Sequence, residues 1–419
     1  MLRISALALA VCATAMLVAG AARADDKTFT VWWFDNPGSA EGNTWTTALD
    51  DFKASHPGVT VKFEQKSFNQ LEQTGAMILN SDQVPDVLEY NKGNATTGLV
   101  ASQGLLTPLD DVVKQRGWDK TLTDGDLVLS RYDQKGVFGS GPIYGIAVSG
   151  EFVSVFYNED MFAANNLKVP TSFDEFVSVM DAFKQKGVTP LAFAAADPEP
   201  ALGTLVNTQI DETWFRNYQA LKAPLDPAPY LFAGKTITDW LAKGYVPKDA
   251  SGLKDDDATN LFVSGKSPMY IGGTWKLGTF ESSIKDFKWS QFIMPTKQYS
   301  TGSTGNLWIV PKGAKNKDLA YDFIGITLSP KIQTALANNG AIAIAADPTT
   351  ITNPVGQRQA ALFDQIAKRN GLGFYLNWPV PGFYDQLHQK LTGLTAGSLT
   401  AEQFTDQIKK FYDDAQASQ

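Results

Sequence analysis

"FTVWWFDNPGSAEGNTWTTALDDFKASHPGVTVKFEQ", residues 29–65, switches periodicity twice. Phe29 to Phe34 is a run of aromatic and β-branched residues and predicts a strand. A loop bearing Gly and Asn follows. Trp45, Leu49 and Phe52 then recur at helical spacing, and Pro57-Gly58 closes that helix. "VTVKFEQ" (59–65) predicts a second strand. Ser67 to Gln70 has the capping-box pattern of a new helix, and "PDVLEY" (85–90) reads as a third strand. Strand, helix, strand, helix, strand predicts a parallel sheet in an α/β fold.

The alternation returns after residue 150. "FVSVFYN" (152–158) reads as a strand. Ser172 to Glu175 opens a capped helix that stops at Gly187. "PLAFAA" (190–195) and "LWIVPKG" (307–313) read as strands, with a helix from about Lys317. Thr400 to Gln403 caps a last helix carrying Phe404, Ile408 and Phe411. Pro-rich "LKAPLDPAPY" (221–230) reads as a loop. Two α/β blocks without a flexible linker predict two lobes facing a cleft. Open α/β sheets bind ligands beyond the carboxyl ends of their strands, so the loops there are the place to search.

The N-terminus reads as an export signal. Arg3 precedes an almost wholly apolar stretch, residues 4–19, and Ala22-Arg23-Ala24 fits a small-x-small cleavage site. Residues 1–24 are expected to be removed, leaving Asp25 as the first residue of an exported protein. The single cysteine, Cys12, lies inside this segment behind the bulky Val11, so a lipid anchor there is not expected. No later run approaches the length of a membrane span. Without further cysteine the exported chain has no disulfide, and a large core must stabilise it. The formal charge of -8 becomes more negative when Arg3 and Arg23 leave. An acidic chain without basic blocks is a poor nucleic-acid binder. Two histidines and no remaining cysteine argue against a zinc or transition-metal site, and no cofactor is expected.

Segments along the whole chain carry a family likeness: "VWWFDNPGSAEG" (31–42), "VPDVLEYN" (84–91), "GLLTPLDD" (104–111), "VFYNEDMF" (155–162), "VPTSFDEF" (169–176), "FVSGKSPMYIGGTW" (262–275), "VPKGAKNKDLAYDFI" (310–324) and "LTAGSLTAEQF" (394–404). The sequence resembles the periplasmic carbohydrate-binding proteins of ABC transporters, a group that includes the maltose-binding and glucose/mannose-binding proteins. The resemblance implies the two-lobe periplasmic binding protein fold, with several hinge crossings and a ligand cleft between the lobes. Crossings are expected near Ser149–Glu151, Ser303–Asn306 and Ile351–Gly356. The lobes would be residues 25–150 with 304–352, and residues 151–303 with 353–419. Such a protein closes around a mono- or oligosaccharide, delivers it to a membrane permease, and carries out no chemistry. A monomer is expected.

A sugar presents hydroxyls at its rim and apolar C–H faces, so it calls for carboxylates, amides and aromatic plates. In "MYIGGTWKLGTF" (269–280), two glycines precede Trp275. Glycines let the backbone pass close to something, and a Trp after them either plugs the core or meets a ligand. The family's strand-end "G-x-W" makes Trp275 the stacking platform. The resemblance also points to Glu41 in "SAEG", to Tyr90 and Asn91 after "PDVLEY", and to Glu151 at the first crossing. Asn306 stands where the glucose-binding relatives carry an acid, and Asn339 where they carry a lysine. Trp33 is a further candidate, although alternation along its strand lets only one of Trp32 and Trp33 face a given side. Trp378 or Tyr384, in the aromatic loop "LNWPVPGFY" (376–384), offers a second plate.

Two other functions compete. A secreted glycosidase needs two carboxylates at fixed separation, and Glu41, Asp197 and Glu151 are the acids available. No nucleophile elbow, HExxH or phosphate-cradling glycine loop is present. The same fold also suits a polyamine or another polar solute.

Overall fold

The computed structural model describes residues 27–35 and 38–418. The export signal, the Asp25 start and Cys12 lie outside the described residues.

Two sheets organise the chain. The first runs Val59–Gln65, Lys27–Trp33, Val87–Tyr90, Leu307–Ile309, Ile146–Ala147 in spatial order. Its first three strands are parallel, as the strand–helix alternation predicts. The last two break that expectation. Leu307–Ile309 runs antiparallel to both of its neighbours. It enters this sheet through the gap by which Ile146–Ala147 leaves it, so these two must run in opposite directions. "LWIVPKG" narrows to Leu307–Ile309 because Pro311 has no N–H to give a ladder.

The second sheet is built around Ser149–Asn158. Met269–Gly273 and Ile342–Ala343 pair with it antiparallel, as do Trp289–Phe292 and Ser300–Thr304. Leu191–Ala192 and Leu372–Gly373 extend the sheet in parallel. Only Val148 separates the strands on either side of the outgoing crossing. Gly305 and Asn306 alone make the return. Three segments lie side by side there: Glu151 faces Ser303, Gly150 faces Thr304, and Ile342 also pairs with Gly150.

The helices follow their caps. Ser39 accepts from the Gly42 N–H at 3.0 Å and starts Ala40–Ser55, whose Trp45, Ala48, Leu49 and Phe52 are buried on one side. The Thr400–Gln403 box is complete, with bonds of 3.0 and 3.2 Å. The Ser172 cap is partial, since Glu175 reaches back to Thr171. "LKAPLDPAPY" is a loop only as far as Pro227. Helix Ala228–Lys243 begins inside it, with Pro229 in the first turn, where a missing N–H is harmless.

Each lobe has its own core. In the first, Phe29 stacks on Phe52 at 4.7 Å and Trp45 meets Trp308 edge-on at 5.7 Å. These contacts tie the opening segment to the strand that returns near residue 307. In the second, Tyr218 stacks on Tyr412 at 5.0 Å and Phe176 packs on Trp240 at 6.1 Å. Truncating any of these aromatics costs about 3–5 kcal/mol.

Candidate functional site

The chain leaves the first parallel strand at Phe34 and Asp35. The Phe34 N–H donates to the Glu89 carboxyl at 3.0 Å, and the Trp45 indole N–H donates to Asp35 at 2.8 Å. These bonds set two carboxyl groups side by side. Burial raises the pKa of both, and the Asp35 charge pushes Glu89 well above the usual carboxylate range. Two neighbouring acids in a dry site oppose each other's ionisation, and Glu89 is the more strongly raised of the two.

Glu41 follows on the first turn of Ala40–Ser55, partly accessible to solvent. Burial and then the Asp35 charge push it up to about 8, with a smaller push from Glu151. Glu151 lies on the crossing strand and is raised to about 7 by burial, against the pull of Lys92. Lys92 is 1% exposed, and its ammonium donates to the Thr304 carbonyl at 2.7 Å and to the Thr304 hydroxyl. Burial depresses it to about 7. Four acids and one lysine thus gather where the crossings meet the carboxyl ends of the first sheet.

Aromatic groups of the second lobe gather beside Glu151. Gly272 and Gly273 end the extended strand Met269–Gly273, and a Cβ on either would collide with the rings of Tyr270 and Trp275. The glycines therefore let the Trp275 ring fold back over its own strand. The ring stays partly exposed, 6.2 Å from the Tyr375 ring at 47°. Tyr375 belongs to a loop held by Glu199, whose carboxylate accepts from the N–H groups of Leu376 and Asn377, both at 3.0 Å. Burial outweighs those bonds and lifts Glu199 to about 8. Burial and Asp255 lift the nearby Asp197 to about 7. Lys276 is not a free cation: it is buried and paired with Asp255.

The lobes touch at the same loop. Trp378 stacks on Phe374 at 4.9 Å, and its carbonyl accepts from the Ala95 N–H at 3.0 Å. Gly93 has φ +108°, and a Cβ on it would stand 2.7 Å from the Trp378 ring. The Asn94 amide donates to the Gln219 carbonyl at 3.1 Å across the same boundary.

The sequence pattern of the bacterial extracellular solute-binding proteins matches residues 36–334. The chain belongs to that family. A diacetylchitobiose binding protein of Streptomyces coelicolor is 26% identical over 77% of this chain and 75% of its own length. A probable sugar-binding periplasmic protein of Rhizobium meliloti is 26% identical, over 65% of this chain and 64% of its own length. A solved chitin oligosaccharide binding protein superposes with a TM-score of 0.79 at 22% identity, covering 94% of this chain and 100% of that one. The architecture is thus the two-lobe periplasmic binding protein fold, with its cleft between the lobes.

The solute-binding chain brings some of the sequence candidates together. Glu41 and Glu151 feel each other's charge, and Trp275 and Trp378 both pack near Tyr375. Tyr384 sets its ring edge-on to Phe68 at 6.4 Å, and its titration is raised by burial and then by Asp197, Glu199, Asp255 and Glu72. Asn91 sits beside Glu72. Asn306 is partly exposed in the return crossing. Three candidates serve packing. Trp33 is buried and stacks on Phe63 at 5.0 Å. Tyr90 is buried among Leu71, Leu79 and Leu88, with its hydroxyl against Gly75. Asn339 ends helix Pro330–Asn338 and donates to the Thr44 hydroxyl at 2.9 Å. Trp378, offered as a second plate, is 3% exposed and packs at the lobe boundary.

Sequence reading missed Asp35, Glu89, Lys92, Tyr375 and Glu199. Asp35 and Lys92 lie just past strand ends, so the carboxyl-end rule reaches them. Two cavities of about 840 and 410 Å³ lie elsewhere on the second lobe, one beside Asp249 and Lys266, the other beside Trp214 and Pro224.

Proposed function

We propose that this chain is the sugar-capturing subunit of an ABC importer, working as a monomer in the periplasm after cleavage behind Ala24. Its lobes comprise residues 25–150 with 304–352 and residues 151–303 with 353–419. They close on a mono- or oligosaccharide and present it to a membrane permease. The observation that carries this reading is that Glu151, at the crossing, acts both on Glu41 of the first lobe and on Tyr375, which stands beside Trp275. Aromatic plates take the C–H faces of a sugar ring, and carboxylates accept from its hydroxyls. The sugar-binding names of the relatives support the same class. The family is one of solute binders, so the acids serve as ligands' partners rather than as glycosidase catalysts.

A thermal-shift screen of the exported protein against mono- and oligosaccharides tests this. A sugar should raise the melting temperature in proportion to the logarithm of its concentration over Kd. Turnover of any sugar, or a screen in which only non-sugars shift the melt, would overturn the reading. Intact mass of the secreted protein tests the Asp25 start.

A further inference from the structure

The loop that carries Tyr375 belongs to neither strand nor helix. Strand Leu372–Gly373 ends before it and helix Phe383–Thr395 begins after it. Its backbone is placed by whatever its N–H and C=O groups meet. Glu199 takes the N–H groups of Leu376 and Asn377. The Leu376 carbonyl goes to a different partner and accepts from the Tyr218 hydroxyl at 2.5 Å. The two peptide groups that flank the Leu376 Cα are thus both fixed.

Tyr218 lies near the end of helix Glu212–Gln219 and is 3% exposed. Its hydroxyl also meets the Tyr230 hydroxyl at 2.7 Å. A hydroxyl has one proton to donate. Tyr218 gives its own to Leu376, so Tyr230 is the donor to Tyr218. The result is a directed chain from Tyr230 through Tyr218 to the Leu376 carbonyl. Burial raises both phenols well above their ordinary value, which keeps them protonated as the chain requires. The Tyr218 ring is held from both sides, stacked on Trp214 at 4.6 Å and on Tyr412 at 5.0 Å. The Tyr412 hydroxyl also donates to the Tyr218 carbonyl at 2.8 Å.

The same helix grips the loop a second time. Phe215 stacks on Phe374 at 5.5 Å, and Phe374 stacks on Trp378 at 4.9 Å. Phe374 and Leu376 bracket Tyr375, whose ring stands 6.2 Å from Trp275.

We propose that helix Glu212–Gln219 positions the aromatic wall of the cleft, with Tyr218 and Phe215 as positioning residues for a sugar ring laid against Tyr375 and Trp275. The proposal rests on the reading that the cleft binds a sugar. A stacking plate favours binding when its support already holds it in place, to within about 0.5 Å. A plate that must settle as the sugar arrives loses affinity to that ordering. Without the Tyr218 hydroxyl, the Leu376 carbonyl is left buried and without its donor, and the loop must shift to find another.

Calorimetry on the exported full chain tests this. The probe is whichever of glucose, galactose, maltotriose and diacetylchitobiose raises the parent's melting temperature most. Tyr218→Phe keeps the ring stack and loses only the hydroxyl. It should weaken binding of the probe roughly three- to thirtyfold, within the range of coupling among residues of one hydrogen-bond network. Tyr230→Phe is the control. It removes a hydroxyl from the same buried pair and leaves the bond from Tyr218 to Leu376, so it should lower the melting temperature and keep the affinity near the parent's. Phe215→Leu acts on Phe374 and leaves the hydroxyl chain alone. It should also weaken binding, and it decides the matter if Tyr218→Phe does not fold. Parent-like affinity in both Tyr218→Phe and Phe215→Leu would overturn the positioning role and leave the sugar reading standing. Equal losses in Tyr218→Phe and Tyr230→Phe would overturn it too, since the effect would then follow from a disturbed core. A parent protein that binds none of these sugars would overturn the sugar reading, and this proposal with it.

Discussion

Trp275→Ala and Trp378→Ala separate a platform from a plug, and the structure assigns different costs to them. The Trp275 ring is partly exposed, rests on Gly273 and touches the core through one edge. Its removal from the unliganded protein should cost about 1–2 kcal/mol, within the ordinary range for a partly buried residue. For a chain of this length that corresponds to roughly 1–3 °C in melting temperature. The Trp378 ring is 3% exposed and packed on Phe374 and Gly93. Losing it opens a cavity at the lobe boundary and should cost about 3–5 kcal/mol. Ligand binding should respond in the opposite sense for Trp275. Losing one aromatic–sugar stack removes about 1–3 kcal/mol, by analogy with buried aromatic contacts, or roughly five- to 150-fold in affinity. The assay is a thermal melt of each variant with and without the best sugar from the screen. Trp275→Ala should melt near the parent alone and lose most of the ligand-induced rise. A large fall in its unliganded melt with a normal ligand response would refute the platform role.

Other outcomes follow from the same geometry. Glu41, Glu151, Asp197 and Glu199 all have pKa values raised by burial to about 7 or 8, so the folded state holds protons that the unfolded chain has released. Their contribution is present in full below the ordinary carboxylate range and is lost as pH rises through about 7 to 8. The depressed Lys92 acts oppositely, its contribution fading as pH falls toward about 7. The acids outnumber it, so melts of the unliganded protein should move downward between about pH 5 and pH 8; an upward move would show that the acids are ionised and solvated in the fold. Gly93→Ala forces an alanine to φ +108° against the Trp378 ring. It should destabilise by about 1–3 kcal/mol and increase the radius of gyration in small-angle scattering; an unchanged radius would show that this contact does not hold the lobes together. Saturating sugar should reduce that radius in the parent protein, since the lobes are joined by short crossings, and constancy would count against hinge closure.

Much of the fold was legible because its signals are local. The periodicity of residues 29–65 and the caps at Ser67, Ser172 and Thr400 mark elements that fold on their own neighbours. The direction of Leu307–Ile309 was not legible, because it is set by a partner strand over 200 positions away. The site divides similarly. Glu41 and Trp275 stand in loops at strand ends, where the fold class directs attention. Trp33 shows the limit of alternation: it says that Trp32 and Trp33 part, and only the Phe63 contact across to the next strand says which is buried. Glu89 lies inside a strand between Leu88 and Tyr90, an acid in an apolar run, which is a signal passed over. Lys92 and Thr304 meet across 212 positions. Nothing local announces that contact, and it is the one that ties the lysine to a hinge strand. Tyr375 precedes the aromatic loop by a single residue and is distinguished only by what Glu151 and Trp275 bring to it.

The register of the second sheet links the aromatic wall to the hinge. Gly273 pairs with Val153, and Glu151 lies two residues back along that strand, opposite Ser303. Trp275, two residues beyond Gly273, is thereby fixed relative to Glu151 by a continuous ladder, and their spacing does not depend on closure. Asp35 and Glu41 ride on the first sheet instead, one past its strand end and one on the helix that follows. A ligand that touched only Trp275 and Glu151 would bind open and closed forms alike and would move nothing. A ligand that also reaches Asp35 and Glu41 gains contacts only when the lobes approach. Its affinity and its power to close the cleft are then the same free energy, read at two places. On the proposed reading, the acids on the first lobe are where ligand identity becomes lobe motion. Substituting them should weaken closure and affinity together, whereas changes confined to the wall should lower affinity and leave the closed pose intact once the sugar is saturating.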